Sequence, residues 1–389
     1  MTGKARLLAA LRGERPDTVP FAPNLHHWFY YHRARGTLPP ELRGATHPYD
    51  ALRALGADIL ARWDTQHATR EAYTAGEYSR EYVGDTDRTS EVVLTFNTYP
   101  PHRDRCRQEF VTPYGTLTQE WTFERETGTE FETKHWWTDF DSEYRAVRFM
   151  LEAKDYQFDS ALFRNWVGRT SDDGLVMLKC NESPLKMLHW LAGQENASYF
   201  IYDHPKEMQA LAQIHAEKTL AYLESVADCA DAVLYISNDN LDSMFYSPSF
   251  FRDFCQDFFT RAAEIVHRRD RFFFVHSCGR VRALLRLVGE TRVDCLEGVT
   301  PPPIGNVRLG EVREQVGCDG FTVNGGMSAV QQEISRDAEK EIHNYTRALF
   351  SEMGDLRHFI FASSCTTSPL TPWQNLVYLR DAAREYGRL

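Results

Sequence analysis

The stretch Phe272-Phe273-Phe274-Val275-His276-Ser277-Cys278-Gly279 decides the reading of this chain. Four apolar residues without polar alternation read as a short strand buried on both faces, as in a parallel sheet. The run then delivers His276 and Cys278. Residues i and i+2 of a strand share a side, so an imidazole and a thiol face one point. Two other apolar runs end in the same manner: residues 293–296 lead into Glu297-Gly298, and residues 358–362 into Ser363-Ser364-Cys365. Imidazole, thiolate and carboxylate are the donors zinc accepts. His276, Cys278, Glu297 and Cys365 are therefore the expected metal ligands. Glu297, the weakest of them and the one a substrate would displace, is also an expected catalytic group.

Outward from this stretch the chain alternates strand and helix. Apolar runs at 19–24, 57–63, 175–180, 232–236, 272–275, 293–296, 320–323 and 358–362 predict eight strands, most of them followed by a helix. Pro205 and Pro248 fall where a first-turn proline is tolerated, and Gly56 sits just past a helix over 49–55. Thr371-Pro372-Trp373-Gln374 reads as a capping box that opens the last helix. Eight such units predict an α/β fold of the (β/α)8 barrel type, with its active site at the C-terminal ends of the strands. A doubly wound open sheet is the runner-up. Between 91 and 137 the texture changes to alternating β-rich segments around Thr112-Pro113-Tyr114-Gly115, which predicts an antiparallel insertion within a single domain spanning 1–389.

Other polar groups fall at the same strand ends. Asn238, Asp239 and Asn240 follow one strand and Asn324 another. Asp239 is an expected catalytic group, and the three asparagines are expected to orient a substrate. Strand-end capping is the plainer role for any one of them. His26, His27, Trp28 and Tyr31, read as a loop after the first strand, and Trp63 after the second, are expected to wall an aromatic or methylated ligand.

Composition narrows the function further. The chain has 389 residues, 42% hydrophobic and 25% charged, and a net charge of −11. That balance suits a large soluble core and argues against nucleic acid, whose phosphates need a basic face. No apolar run is long enough to span a bilayer, and the first dozen residues lack the pattern of a signal peptide. Eight cysteines without paired spacing fit a reduced, cytoplasmic protein.

A resemblance gives these readings a family. Residues 5–21, closing on Asp17-Thr18-Val19-Pro20-Phe21, resemble the opening of the uroporphyrinogen decarboxylase superfamily. His276-Ser277-Cys278-Gly279, Leu296-Glu297-Gly298-Val299-Thr300-Pro301 and Thr371-Pro372-Trp373-Gln374 resemble its later motifs. The superfamily has a zinc methyltransferase branch that serves corrinoid proteins, coenzyme M or aromatic O-demethylation. Its His-x-Cys with a distant Cys is matched by His276, Cys278 and Cys365. Glu297 matches the extra glutamate of the related cobalamin-independent methionine synthase site. Trp28-Phe29-Tyr30-Tyr31 followed by Gly36-Thr37-Leu38-Pro39-Pro40 is similar to the opening of corrinoid-dependent O-demethylase methyltransferases. The resemblance implies a zinc-dependent transfer of methyl between a small ether or thiol and a corrinoid or thiol acceptor. Since the chain has no Asp-x-His-x-x-Gly, cobalamin would arrive free or on a partner protein. Homodimers are implied as well. The rival is a metal-free decarboxylase acting on a carboxylated substrate through Asp58 and Arg33.

Overall fold

The computed structural model describes residues 1–62, 67–83, 92–94, 97–99, 105–124 and 129–389. Seven parallel strands form one curled sheet in the order Ile59–Ala61, Gly174–Lys179, Leu234–Leu241, Phe272–Ser277, Cys295–Val299, Thr322–Gly326 and Phe359–Ala362. Spatial order follows chain order, with helices in each crossover, so every strand points the same way. Residues 20–22 bond to both edges of this sheet. Phe361 N donates to the Pro20 carbonyl at 2.9 Å and Ala22 N to the Phe361 carbonyl at 2.8 Å, while Asp58 N donates to the Phe21 carbonyl at 2.7 Å. The strand expected over 19–24 is reduced to this extended segment with a single bridge, Phe21 to Phe361. Pro20 and Pro23 explain the reduction, since each removes a ladder donor.

The absence of alternation in these strands follows from their two cores. Leu175, Met177, Leu234, Ile236, Phe274, Cys295 and Ile360 turn to the concave side, where Leu7, Ala10 and Leu11 of the helix Gly3–Leu11 pack beneath them. Val176, Leu178, Tyr235, Phe273, Val275, Leu296 and Val323 turn the other way, against the helices. Each fully buried Phe or Leu contributes on the order of 2–3 kcal/mol by leaving water. Helix ends follow their chemistry: Pro205 and Pro248 open helices, and Gly56, at φ 68°, closes Pro48–Leu55. No helix among the described residues is long and apolar enough to cross a membrane.

Three expectations are corrected. His26–Arg35 is a helix, not a loop; it ends at Gly36 in the left-handed conformation and buries Trp28, Phe29 and Tyr30. Its polar and aromatic residues alternate too closely to show a helical period. Thr371 does not cap the last helix, which is Trp373–Tyr386 with Pro372 at its N-cap. The antiparallel region is wider than 91–137. Thr69–Tyr73 pairs with Lys154–Phe158, and Glu77–Val83 joins Arg105–Thr112, Gly115–Glu124 and Thr129–Lys134 in a four-stranded sheet. Thr-Arg-Glu-Ala-Tyr and Glu-Tyr-Ser-Arg-Glu-Tyr-Val are too polar to announce themselves as strands. Parts of the expected insertion, and Trp63, lie outside the described residues.

Candidate metal centre

Two strands deliver the site. His276 is the fifth residue of Phe272–Ser277, Cys278 lies just past that strand's end, and Cys365 follows Phe359–Ala362. Nδ1 or Nε2 of His276 and the two sulfurs all lie within 4.8 Å of one another. His276 Nε2 is 3.5 Å from Cys365 Sγ. An ion holding a nitrogen at about 2.0 Å and a sulfur at about 2.3 Å, at the tetrahedral angle, sets them about 3.5 Å apart. The donor set and its spacing therefore fit zinc. His276 is buried, Cys365 half-buried and Cys278 exposed, so the group opens outward past Cys278.

Glu297 is not among these grouped donor atoms, although it touches His276. Its strand pairs with the histidine strand so that His276 and Glu297 are partners in register. The carboxylate accepts from His276 Nδ1 and from Arg62 Nη1. Arg62 Nη1 also lies 2.7 Å from Nδ1. The neutral tautomer with its proton on Nδ1 donates to the carboxylate and leaves the Nε2 lone pair for a metal. Arg62 follows the edge strand Ile59–Ala61 and is 4% exposed, so this is a buried ion pair.

The charges reinforce one another. Burial would raise the Glu297 carboxyl, but the Arg62 and His276 charges outweigh it and hold it below its ordinary range. Burial and Arg62 would lower His276, but Glu297 and Cys278 outweigh them and hold it above its ordinary range. Cys278 is pulled down to about 4, first by the thiol of Cys365, then by His276 and Arg62 against the cost of burial. Cys365 is pushed up for the reciprocal reason. One sulfur is thus a thiolate at neutral pH, as a metal ligand must be.

Two glycines allow this approach. Gly298 has φ 87°, and a Cβ there would lie 2.7 Å from the Ser277 carbonyl and 3.0 Å from His276 Cε1. Gly279, at φ 145°, would set a Cβ 2.0 Å from Asp242 Oδ2. Asn324 is buried, and its Oδ1 accepts from Gly298 N at 3.3 Å, which fixes the turn after Glu297.

The remaining expected residues are dispersed. Asp239 is fully buried; its carboxylate accepts from the hydroxyls of Ser183 and, at 2.5 Å, Ser237, and burial raises its pKa. Asn240 is exposed and Asn238 half-buried. His26 packs its ring against His47 at 6.1 Å and Tyr49 at 6.2 Å. Trp28 packs at a tilt against Trp373, ring centres 5.3 Å apart, and donates to the Thr371 carbonyl at 2.8 Å. His27 and Tyr31 are half-buried, the latter under the Arg35 guanidinium at 3.8 Å. Arg62 was not expected, because a buried arginine at a strand end looks in sequence like any solvated one.

Comparison with known proteins follows the same lines. No curated protein sequence matches the chain. A methyltransferase from Methanosarcina mazei superposes with a TM-score of 0.61 at 16% identity, over 99% of each chain, a likeness of fold. Two xylanases, from a sugarcane soil metagenome and from Thermoanaerobacterium saccharolyticum, match at TM-scores of 0.34 and 0.30, too low to bear on the fold. Their identities are 8% and 10%, over 57% and 61% of this chain and 84% and 80% of theirs. The family model described as uroporphyrinogen decarboxylase (URO-D) matches residues 173–386, more than half of the chain and the part that carries His276, Cys278, Glu297 and Cys365. The chain belongs to the uroporphyrinogen decarboxylase (URO-D) family.

Proposed function

We infer that this protein is a zinc-dependent methyltransferase, moving a methyl group between a small ether or thiol and a corrinoid or thiol acceptor. The observation that carries this is the His276–Cys278–Cys365 group, whose donor atoms lie within 4.8 Å of one another where the strands end. Zinc bound there would supply a Lewis acid that keeps a thiol ionised at neutral pH or polarises an ether oxygen. The protein's own groups do the rest. Glu297 fixes the tautomer and orientation of His276, and Arg62 keeps that carboxylate ionised and directed away from the ligand atoms. In this reading Glu297 is the orienting group and not a fourth ligand, which leaves the fourth position for substrate. The fold likeness to a methyltransferase supports the same branch of the family.

The reading extends to the architecture and to partners. Residues 20–22, bonded to both sheet edges, would complete a (β/α)8 barrel in one domain, with the antiparallel region as an insertion. Trp190, Met244, Phe245, Ile304, Val330 and Leu370 are exposed apolar side chains in segments that follow five of the seven parallel strands. Such a rim around the mouth suits a docking protein, here one carrying a corrinoid, or a second copy in a homodimer. A cytoplasmic place goes with the reduced thiols.

The lyase reading loses support at Asp58. That carboxylate stands before Ile59–Ala61, at the end of the sheet away from the metal group, and accepts from Arg6 at 2.6 Å and Phe21 N at 3.1 Å. Arg33 donates to the Thr46 carbonyl at 2.5 Å. The test is methyl transfer from methoxyaromatic and methylthio donors to cob(I)alamin, followed by absorbance. Transfer by wild type that Cys278→Ser abolishes is the expected result. No transfer from any donor, with metal-free decarboxylation of a carboxylated substrate instead, would overturn it.

A further inference from the structure

Lys186 stands in the first turn of the helix Pro184–Asp203, just after the strand Gly174–Lys179, on the same rim as the metal group. Among the described residues its ammonium makes no ion pair. Its neighbour is the Trp190 ring, 5.8 Å away, and Trp190 packs on Trp121 of the antiparallel sheet at 5.7 Å. The acids whose charge reaches it are Asp239, Glu182, Cys278 and Glu132. Each has a partner already. Asp239 is held by two serine hydroxyls, Glu182 pairs with Lys179 at 2.8 Å, Glu132 with His135 at 2.8 Å, and Cys278 belongs to the His276 group. Lys186 is the cation left over, and its burial pulls it below the usual lysine range.

Three more buried polar atoms, in the same helix, the turn before it and the neighbouring strand, lack hydrogen-bond partners among the described residues: His189 Nε2, Asn181 Nδ2 and Asn238 Oδ1. His189 lies three residues beyond Lys186 on one helix, so the two share a face. Asn181 is in the turn between the strand and that helix. Asn238 is the fifth residue of the neighbouring strand Leu234–Leu241, next to Ser237, which donates to the Asn181 carbonyl at 2.7 Å. His189 is 5% exposed and Asn181 3%. Folded proteins rarely leave several buried polar atoms together unpaired, and such a group calls for an unseen ligand or water.

We propose that Lys186, His189 and Asn181 form an oxyanion subsite beside the metal group, which holds the carboxylate or sulfonate head of the substrate. Trp190 and Trp121 form its apolar flank, and the sulfur or ether end of the substrate reaches the His276–Cys278–Cys365 group. The second half rests on the methyltransferase reading; the anion subsite does not.

The test is calorimetric binding to the full-length protein, as purified and after metal removal. The probes are 3-sulfanylpropanoate, 3-sulfanylpropane-1-sulfonate and the neutral 3-sulfanylpropanamide. Wild type should bind one of the anions at least about tenfold more tightly than the amide, about 1.4 kcal/mol, and the tighter anion identifies the head group. Lys186→Met should erase that preference without changing amide affinity or metal content, and Lys186→Arg should keep it. Equal response to anions and amide, including no response to either, overturns the proposal, as does a preference that survives Lys186→Met. A protein that holds no zinc but still prefers the anion would refute the methyltransferase reading and leave the subsite standing.

Discussion

Glu297→Gln separates an orienting carboxylate from a ligating one. The substitution keeps the shape and an acceptor oxygen for His276 Nδ1, and removes the charge that faces Arg62. Two effects follow. Loss of a carboxylate behind a histidine ligand lowers metal affinity by about 10–100-fold, which is about 1.4–2.7 kcal/mol. Removal of one charge from the buried pair, whose side chains are 3% and 9% exposed, costs about 3–5 kcal/mol of folding stability. A domain stability of about 5–15 kcal/mol absorbs that loss except at its lower end. Competition against a chromophoric chelator reads the first effect, and urea unfolding of the metal-free protein reads the second. The expected outcome is one metal per chain, bound 10–100-fold more weakly, with a lower urea midpoint. Unchanged affinity would refute the orienting role. Loss of binding far beyond that range in a folded variant would make the carboxylate a ligand.

Other outcomes follow from neighbouring geometry. Gly298→Ala adds a Cβ at φ 87°, 2.7 Å from the Ser277 carbonyl and 3.0 Å from His276 Cε1; it should cost about 1–3 kcal/mol and weaken metal binding, read by the same two titrations. His215 is buried, its Nε2 2.9 Å from the Glu182 carbonyl, and burial pulls its pKa down to about 4. It stays neutral in the fold while the unfolded chain takes up a proton near pH 6.5, so stability is intact above that pH and is lost as pH falls towards 4. The loss between pH 7 and pH 5 is about 2 kcal/mol, and urea midpoints of His215→Gln should change less over that interval than those of wild type.

The parallel sheet was legible because its strands are buried on both faces and carry no polar interruption. The meeting of His276, Cys278 and Cys365 was legible because residues at strand ends in such sheets converge. The contact that Glu297 makes was not legible, since a carboxylate in register with a histidine reads the same whether it faces the cysteines or the other ring nitrogen. In the fold it meets His276 Nδ1 and Arg62, the latter more than two hundred residues away in the chain. The helix His26–Arg35 was hidden by aromatic residues crowded on every side, and the polar strands Thr69–Tyr73 and Glu77–Val83 by their charge. Lys186 and His189 looked like ordinary helix residues; what sets them apart is that, among the described residues, the Lys186 ammonium has no ion pair and His189 Nε2 no hydrogen bond.

The most direct measurement is the metal content of the purified protein beside Cys278→Ser and Cys365→Ser, by mass spectrometry of the metal with circular dichroism as the control for folding. The account predicts about one zinc per chain in wild type, lost in both variants while the spectra stay the same. No metal in wild type, or zinc retained after either cysteine is replaced, would contradict it.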